Sequence, residues 1–457
     1  LEVGQGFEQH RRAAIPELPS AVREALRHRQ VALAREHARE RCLSEESAED
    51  RSAAVLRLVE CWLGLAEKAA ARGPGGAARY FPEPASVRPV DPLDPRAEED
   101  LLARPAAWFA AEQAGLLAAV DHCADHGLDR AARDLAGALI ASSVALYNQF
   151  DAWSRSHTAA MAAVRRSGDR EGEAWLHIGL GQLRYEQDEF EESYGYFRDA
   201  LRLFEAHADE PQGMAQALVG MATARREQAC FPEALELLDA ALDRFGPDGD
   251  RGARAQVLYG VGCVYREQGR GTEAREALAQ ALELYRAEDD RFGAALTVRS
   301  LALCHRAEGA WAAAEGLLRD ALRGFEDLHD TFGLMYTEQS LAKVELRQGR
   351  LGEARERLER CLEVARDRQD RFGEALVLRT LGEWHLVAGD AVAARGPLER
   401  ALGGWEALRL PLWRARTLWN LAEVFEAAGE SGAASDARAE AMGVFRELGA
   451  REARERG

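Results

Sequence analysis

Three arginines, Arg226, Arg266 and Arg306, stand forty residues apart. A guanidinium binds a carboxylate or phosphate through two parallel hydrogen bonds, so a row of them at a fixed period is chemistry for holding anions. A second row begins at Gly179, Gly220 and Gly260 and changes to Ser300, Ser340, Thr380 and Asn420. Glycine within a helix costs about 1 kcal/mol against alanine, so three at one repeat position mark a close approach. A ligand, a peptide backbone or the adjacent helix would each account for it, and the polar half of the row offers hydrogen bonds to an extended peptide. No Ser-His-Asp or Cys-His arrangement is legible, so the chain is expected not to be an enzyme. His122, Cys123 and His126 lie within about one helical turn, but two imidazoles beside the carbonyls of a helix ending at Gly127 explain them without a metal. Paired carboxylates such as Glu191-Glu192 read as solvated helix faces, and Trp405, Trp413 and Trp419 as packing around the last helices.

Composition narrows the partner. Lys+Arg 59 against Asp+Glu 77 gives a net charge of -18, which opposes binding to phosphate backbones and anionic membranes. The only lysines are Lys68, followed by Ala69, and Lys343, followed by Val344, so no Gly-Lys-Ser/Thr phosphate loop exists and no cofactor is expected. The preference for arginine, with abundant Ala, Leu and Gly, fits a GC-rich actinobacterial coding sequence. Seven scattered cysteines, without a close Cys-x-x-Cys pair, read as reduced residues of a cytoplasmic protein. No stretch reaches the roughly 20 apolar residues needed to cross a bilayer, and no signal-peptide pattern is present. The opening Leu-Glu-Val-Gly, without methionine, is expected of a piece of a longer protein.

The elements that position these rows are helices in a repeat. Asp250, Asp290, Asp330 and Asp370 share the forty-residue beat, and three open nearly one phrase: Asp290-Arg-Phe-Gly, Asp330-Thr-Phe-Gly and Asp370-Arg-Phe-Gly. A period of this size is the signature of stacked helical units. Ala200-Leu201, Ala241-Leu242, Ala281-Leu282, Ala321-Leu322, Cys361-Leu362 and Ala401-Leu402 mark the second helix of each unit. Small residues precede them by about nineteen positions, from Gly181 to Ala422, and the turn between helices falls at Asp188, Ala229, Gly269, Gly309, Gly349, Gly389 and Gly429. Glycine there suits a left-handed helix end. The expected architecture is therefore all-α: a helical adaptor over 1–72, a Pro/Gly-rich linker over 73–100, and a helical segment with one degenerate repeat over 101–168. An α-solenoid of seven units follows over 169–449, with a tail over 450–457. The proline-rich stretch from Pro82 to Pro95 is expected to stay non-helical, with helix resuming near Pro105.

The unit Ser300-Leu301-Ala302, Gly309, Ala314, Leu318, Ala321-Leu322 resembles the tetratricopeptide repeat. It departs from that family in lacking the usual closing proline and in having forty residues instead of thirty-four, with Asp290, Asp330 and Asp370 as expected N-caps. The resemblance implies that the first helix of each unit lines a concave face. Mapped on its inward positions, Arg226, Arg266 and Arg306 form a ladder, and Arg299, Lys343, Arg379 and Arg416 fall on adjacent inward columns. The implied partner is a protein, a peptide or a small anionic effector in the concave groove. The alternative is that acids such as Glu227, Glu267 or Glu383 pair with the ladder and that it only solubilises the groove.

A looser resemblance covers the whole chain. Arg35-Glu-His-Ala-Arg-Glu-Arg41, Leu58-Val-Glu-Cys-Trp-Leu63, Ala107-Trp-Phe-Ala-Ala-Glu-Gln113 and Leu117-Ala-Ala-Val120 look like the region after the NB-ARC ATPase in bacterial STAND regulators. It implies the sensor of a transcriptional regulator, acting on an ATPase module upstream of Leu1. A stand-alone scaffold or peptide receptor without a nucleotide switch is the alternative.

Overall fold

The computed structural model describes residues 36–38, 40–72, 95–140, 150–207, 210–245 and 250–457. Contacts divide the chain into a unit ending at Val59 and a second from Glu60 to Gly457. In the first, a helical stretch through Glu45 stops at Glu46-Ser47, and Ser47 restarts it by accepting a hydrogen bond from Asp50 N at 3.0 Å.

All regular structure among the described residues is helical. The helices are α1 Ala48–Arg72, α2 Pro95–Leu102, α3 Pro105–Asp125, α4 Asp129–Ile140 and α5 Phe150–Ser167. Seven described pairs follow: α6 Arg170–Glu186 with α7 Phe190–His207, α8 Pro211–Glu227 with α9 Phe231–Phe245, and α10 Arg251–Glu267 with α11 Gly271–Ala287. Next come α12 Arg291–Ala307 with α13 Trp311–Asp327, α14 Thr331–Arg347 with α15 Leu351–Asp367, α16 Arg371–Val387 with α17 Ala391–Ala407, and α18 Pro411–Ala427 with α19 Ser431–Glu447. A short α20, Glu452–Glu455, ends the chain. The α-solenoid of tetratricopeptide-like pairs is thus present.

One expectation is corrected. Helix begins at Pro95, inside the stretch read as linker, because proline at the first helical position forfeits only an N–H that has no intrahelical partner. Residues 73–94 and 141–149 lie outside the described residues.

Each unit is punctuated locally. The side chains of Asp250, Asp290, Asp330 and Asp370 accept from Gly252 N, Gly293 N, Phe332 N and Gly373 N, capping α10, α12, α14 and α16. The glycine of each Phe-Gly step is required by packing. A Cβ on Gly333 would sit 2.3 Å from the Phe325 ring, so the aromatic of one unit lies against bare backbone of the next. All seven turn positions from Asp188 to Gly429 have positive φ.

A second left-handed position precedes the caps Asp290, Asp330 and Asp370 and is not glycine: Asp289, His329 and Gln369 have φ of 53–55°. A side chain in that region costs about 1–2 kcal/mol. His329 is exposed, so His329→Gly is expected to raise stability by about 1 kcal/mol, read as a higher urea midpoint. A lowered midpoint would show that the imidazole contributes a contact.

The second unit winds far enough for early pairs to meet late ones. Phe190 at the start of α7 packs with Trp405, Leu408 and Leu410. Leu218, Val219 and Val257 of α8 and α10 share a core with Leu412, Ala415 and Phe445 of α18 and α19. Backbone and side-chain bonds seal both contacts: Phe372 N donates to Asp188 Oδ2 at 3.3 Å, and Arg451 N donates to Glu267 O at 3.0 Å. The array therefore closes on itself around an interior channel.

Candidate functional site

The first helix of every pair faces this channel, which encloses about 670 Å³. Arg226, Arg266, Arg299, Arg306, Lys343, Arg379 and Arg416 all line it. Burial differs from pairing, and pairing is what divides them. Arg226 donates to Glu227 at 2.6 Å and Arg266 to Glu267 at 3.1 Å. Glu383 takes both Lys343 at 3.0 Å and Arg379 at 2.6 Å. Arg416 bridges Glu267 at 2.8 Å and Glu452 at 2.7 Å. Four carboxylates thus serve five cations.

Arg299 and Arg306 have no carboxylate partner among the described residues. Arg299 makes only long contacts, to Tyr336 O at 3.4 Å and Ser340 Oγ at 3.5 Å, and its Nε is buried without a partner. Arg306 Nη1 is likewise buried and unpartnered. Burial first, and then Arg451, Arg299 and Arg266 around it, pull the Arg306 guanidinium down to about 9. Arginine stays charged under such conditions, so the repulsion stands as energy that a bound anion would relieve. Lys343 is drawn down to about 7 by burial and by Arg379 and Arg306, with Glu383 opposing. A signal for this difference exists in the sequence: the dipeptides Arg226-Glu227 and Arg266-Glu267 repeat, but the third is Arg306-Ala307.

The polar row lies within the wall. Ser300 is in reach of Tyr259 Oη and Cys263 Sγ, Ser340 donates to Tyr336 O, and Thr380 donates to Leu376 O while accepting from Gln339 Nε2. Asn420 Oδ1 accepts from Arg379 Nε. Thr380 has no accessible surface and so supports the wall without touching an occupant. The glycine half of the row serves packing: a Cβ would fall 2.4 Å from His157 at Gly179, 2.5 Å from Phe197 at Gly220 and 3.0 Å from Leu238 at Gly260. The close approach that these glycines announce is the neighbouring helix.

Sequence reasoning did not reach three features of the channel. Stepping back forty residues from Arg226 lands on Glu186, which lines the same channel with Asp188. Burial, followed for Asp188 by the Asp370 carboxylate, pushes both up to about 7. Tyr185, Tyr259 and Tyr336 form an aromatic belt, with Tyr336 Oη donating to Asp370 Oδ2 at 2.9 Å and the Arg299 guanidinium 5.7 Å from its ring centre. Finally, the segment after Gly449 folds back: Arg451, Glu452 and Arg456 line the channel, and Arg454 donates to Gln268 O. Its alternating charges carry no repeat period and give no sequence signal for this.

Elsewhere, His122 and His126 stack at 4.0 Å, with His126 Nδ1 2.8 Å from His122 O at the helix end. Trp405 and Trp413 stack at 5.4 Å with Phe372 edge-on to both, whereas Trp419 packs by Phe445. No described helix is long and apolar enough to cross a membrane.

Paired helices in register, closed around a polar interior, define a superhelical repeat array whose working surface is its inner wall. Residues 213–287, 255–327 and 332–407 match the tetratricopeptide repeat family model, and this part of the chain is a tetratricopeptide-repeat array. Among solved structures, a Rap protein complexed with competence and sporulation factor is similar at 17% identity and TM-score 0.57, covering 75% of this chain and 98% of that one. The Rap conjugation gene regulator of a plasmid, in complex with a Phr peptide, is similar at 16% identity and TM-score 0.55, covering 74% and 95%. A STAND protein with a tetratricopeptide repeat sensor from Pyrococcus horikoshii aligns at 14% identity and TM-score 0.47, covering 79% and 54%. No curated protein sequence matches.

Proposed function

We propose that this chain is a non-catalytic sensing and protein-interaction array that captures a partner or effector through an anionic group inside the channel. The observation that carries the reading is the pair Arg299 and Arg306, held in the wall with buried unpartnered donors and no carboxylate partner among the described residues. The two Rap structures of similar fold are described as complexes with a factor and with a peptide, which favours a peptide occupant here. Seven free cysteines and the acidic surface suit a cytoplasmic location.

The resemblance of the N-terminal segments to STAND regulators extends this reading: occupancy would act on an ATPase module upstream of Leu1. An effector can do so only by preferring one arrangement of sensor and ATPase. The near-complete coverage of the first Rap chain favours the other reading, a stand-alone peptide receptor.

A randomised hexapeptide pool with free carboxyl ends tests the capture. Immobilised full chain is expected to retain it, and Arg299→Gln with Arg306→Gln to lower retention at least tenfold with helicity unchanged. Equal retention by the double variant, or by wild type for a C-amidated pool, overturns the reading.

A further inference from the structure

We infer that the channel's occupant is a short linear peptide held in one polarity, its free α-amine against Glu186 and Asp188 and its α-carboxylate against Arg299 and Arg306. This rests on the anion capture proposed above and adds the opposite pole.

The channel is electrically divided along its length. Inner helices run side by side, so the caps Asp330 and Asp370 lie on one level, and Lys343 and Arg379 lie further along α14 and α16. The offset of the winding brings the end of α6 to the start of α16, as the bond from Phe372 N to Asp188 shows. Glu186 and Asp188 thereby join Asp330 and Asp370, and after burial the Asp370 and Asp330 carboxylates raise Glu186, and Asp370 and Glu186 raise Asp188. The two capping aspartates are engaged with backbone N–H groups. Glu186 accepts from Gln182 Nε2 and Asp188 from Phe372 N, and neither forms an ion pair among the described residues.

Unpaired charge of opposite sign thus lines two levels of one cavity, each lacking the counter-ion that a zwitterion would supply. Arg299 stands against Tyr336, whose hydroxyl bonds Asp370, and Arg306 lies seven helical residues further along α12, about 10 Å along its axis. An extended chain covers that further distance in about three residues at roughly 3.3–3.6 Å each. The tyrosine belt between the poles offers apolar faces for side chains, with Phe372 and Trp413 beside it. A polyanion such as a nucleotide satisfies the arginine level but meets repulsion at the carboxylates and supplies them no cation. A peptide with both ends free has the required group at each level.

The test compares the hexapeptide pool with free α-amines against the same pool N-acetylated, both with free carboxyl ends, on the wild-type full chain. Acetylation is expected to lower retention at least tenfold, and Glu186→Gln with Asp188→Asn to remove the preference for the free amine. Equal retention of both pools overturns the polarity. If that equal retention still falls in the Arg299→Gln, Arg306→Gln variant, anion capture stands alone; if it does not fall, or if neither pool is retained, both readings fail.

Discussion

Replacing Arg416 with alanine is expected to lower the stability of the full chain by about 3–5 kcal/mol, because it strips two buried carboxylates of their shared cation. Arg416 is 7% exposed, and its guanidinium spans Glu267 and Glu452, on helices separated by most of the array. Without it Glu267 keeps Arg266 and Glu452 keeps Arg451 as ion-pair partners among the described residues, and the short terminal helix is left with the Arg451 N bond to Glu267 O and the Arg454 bond to Gln268 O. Urea unfolding checks this, and a change below about 1 kcal/mol would mean that the bridge does not form in solution. A pH signature accompanies it. Burial works against ionisation at Glu267, Glu383 and Glu452, but the adjacent Arg416, Arg266, Lys343 and Arg379 win and hold all three below the ordinary carboxylate range, Glu383 at about 2. Depressed folded values contribute stability that is present above the unfolded value of about 4.3 and is lost as pH falls through the folded values. Wild type should therefore weaken between pH about 4.5 and 2. Arg416→Ala should weaken less over that window, having already forfeited the part of the Glu267 and Glu452 contributions that Arg416 supplies.

Phe197→Ala is expected to cost about 3–5 kcal/mol, the range for a fully buried aromatic. Its ring lies between the bare backbones of two successive inner helices: added Cβ atoms would come within 3.1 Å of it at Gly181 and 2.5 Å at Gly220. Gly220→Ala alone should cost about 1–3 kcal/mol by overpacking. Combined with Phe197→Leu, the two costs should fall short of their sum, since the smaller side chain vacates the space that the methyl needs. Additive costs, or altered peptide retention with unchanged stability, would return Gly220 to the channel and overturn its packing role.

The local grammar of this fold was legible because each unit repeats it. Aspartate caps, left-handed turns and small helix faces each need only a few neighbouring residues, and forty-residue recurrence separates them from chance. The arginine rows recur on first helices for the same reason, and their residues line the channel. Their pairing was harder to read: Arg416 finds Glu267 at a separation of 149 residues, a relation with no periodic trace. The glycines at 179, 220 and 260 announced close approach but not what approached, since a helix and a ligand ask the same of a backbone. Glu186 and Asp188 belong to the first pair of the array, yet their chemistry depends on α16, which the winding alone brings to them.

Closure also constrains how such a chain can change. An open stack gains or loses a unit at little cost, because each unit meets only its neighbours. Here Asp188 must meet Phe372 and Glu267 must meet Arg451, so one unit more or fewer would rotate every later helix past its mate. The number of units between these mates has become a fitted dimension, like the circumference of a barrel, and this winding can vary its wall residue by residue more readily than that spacing.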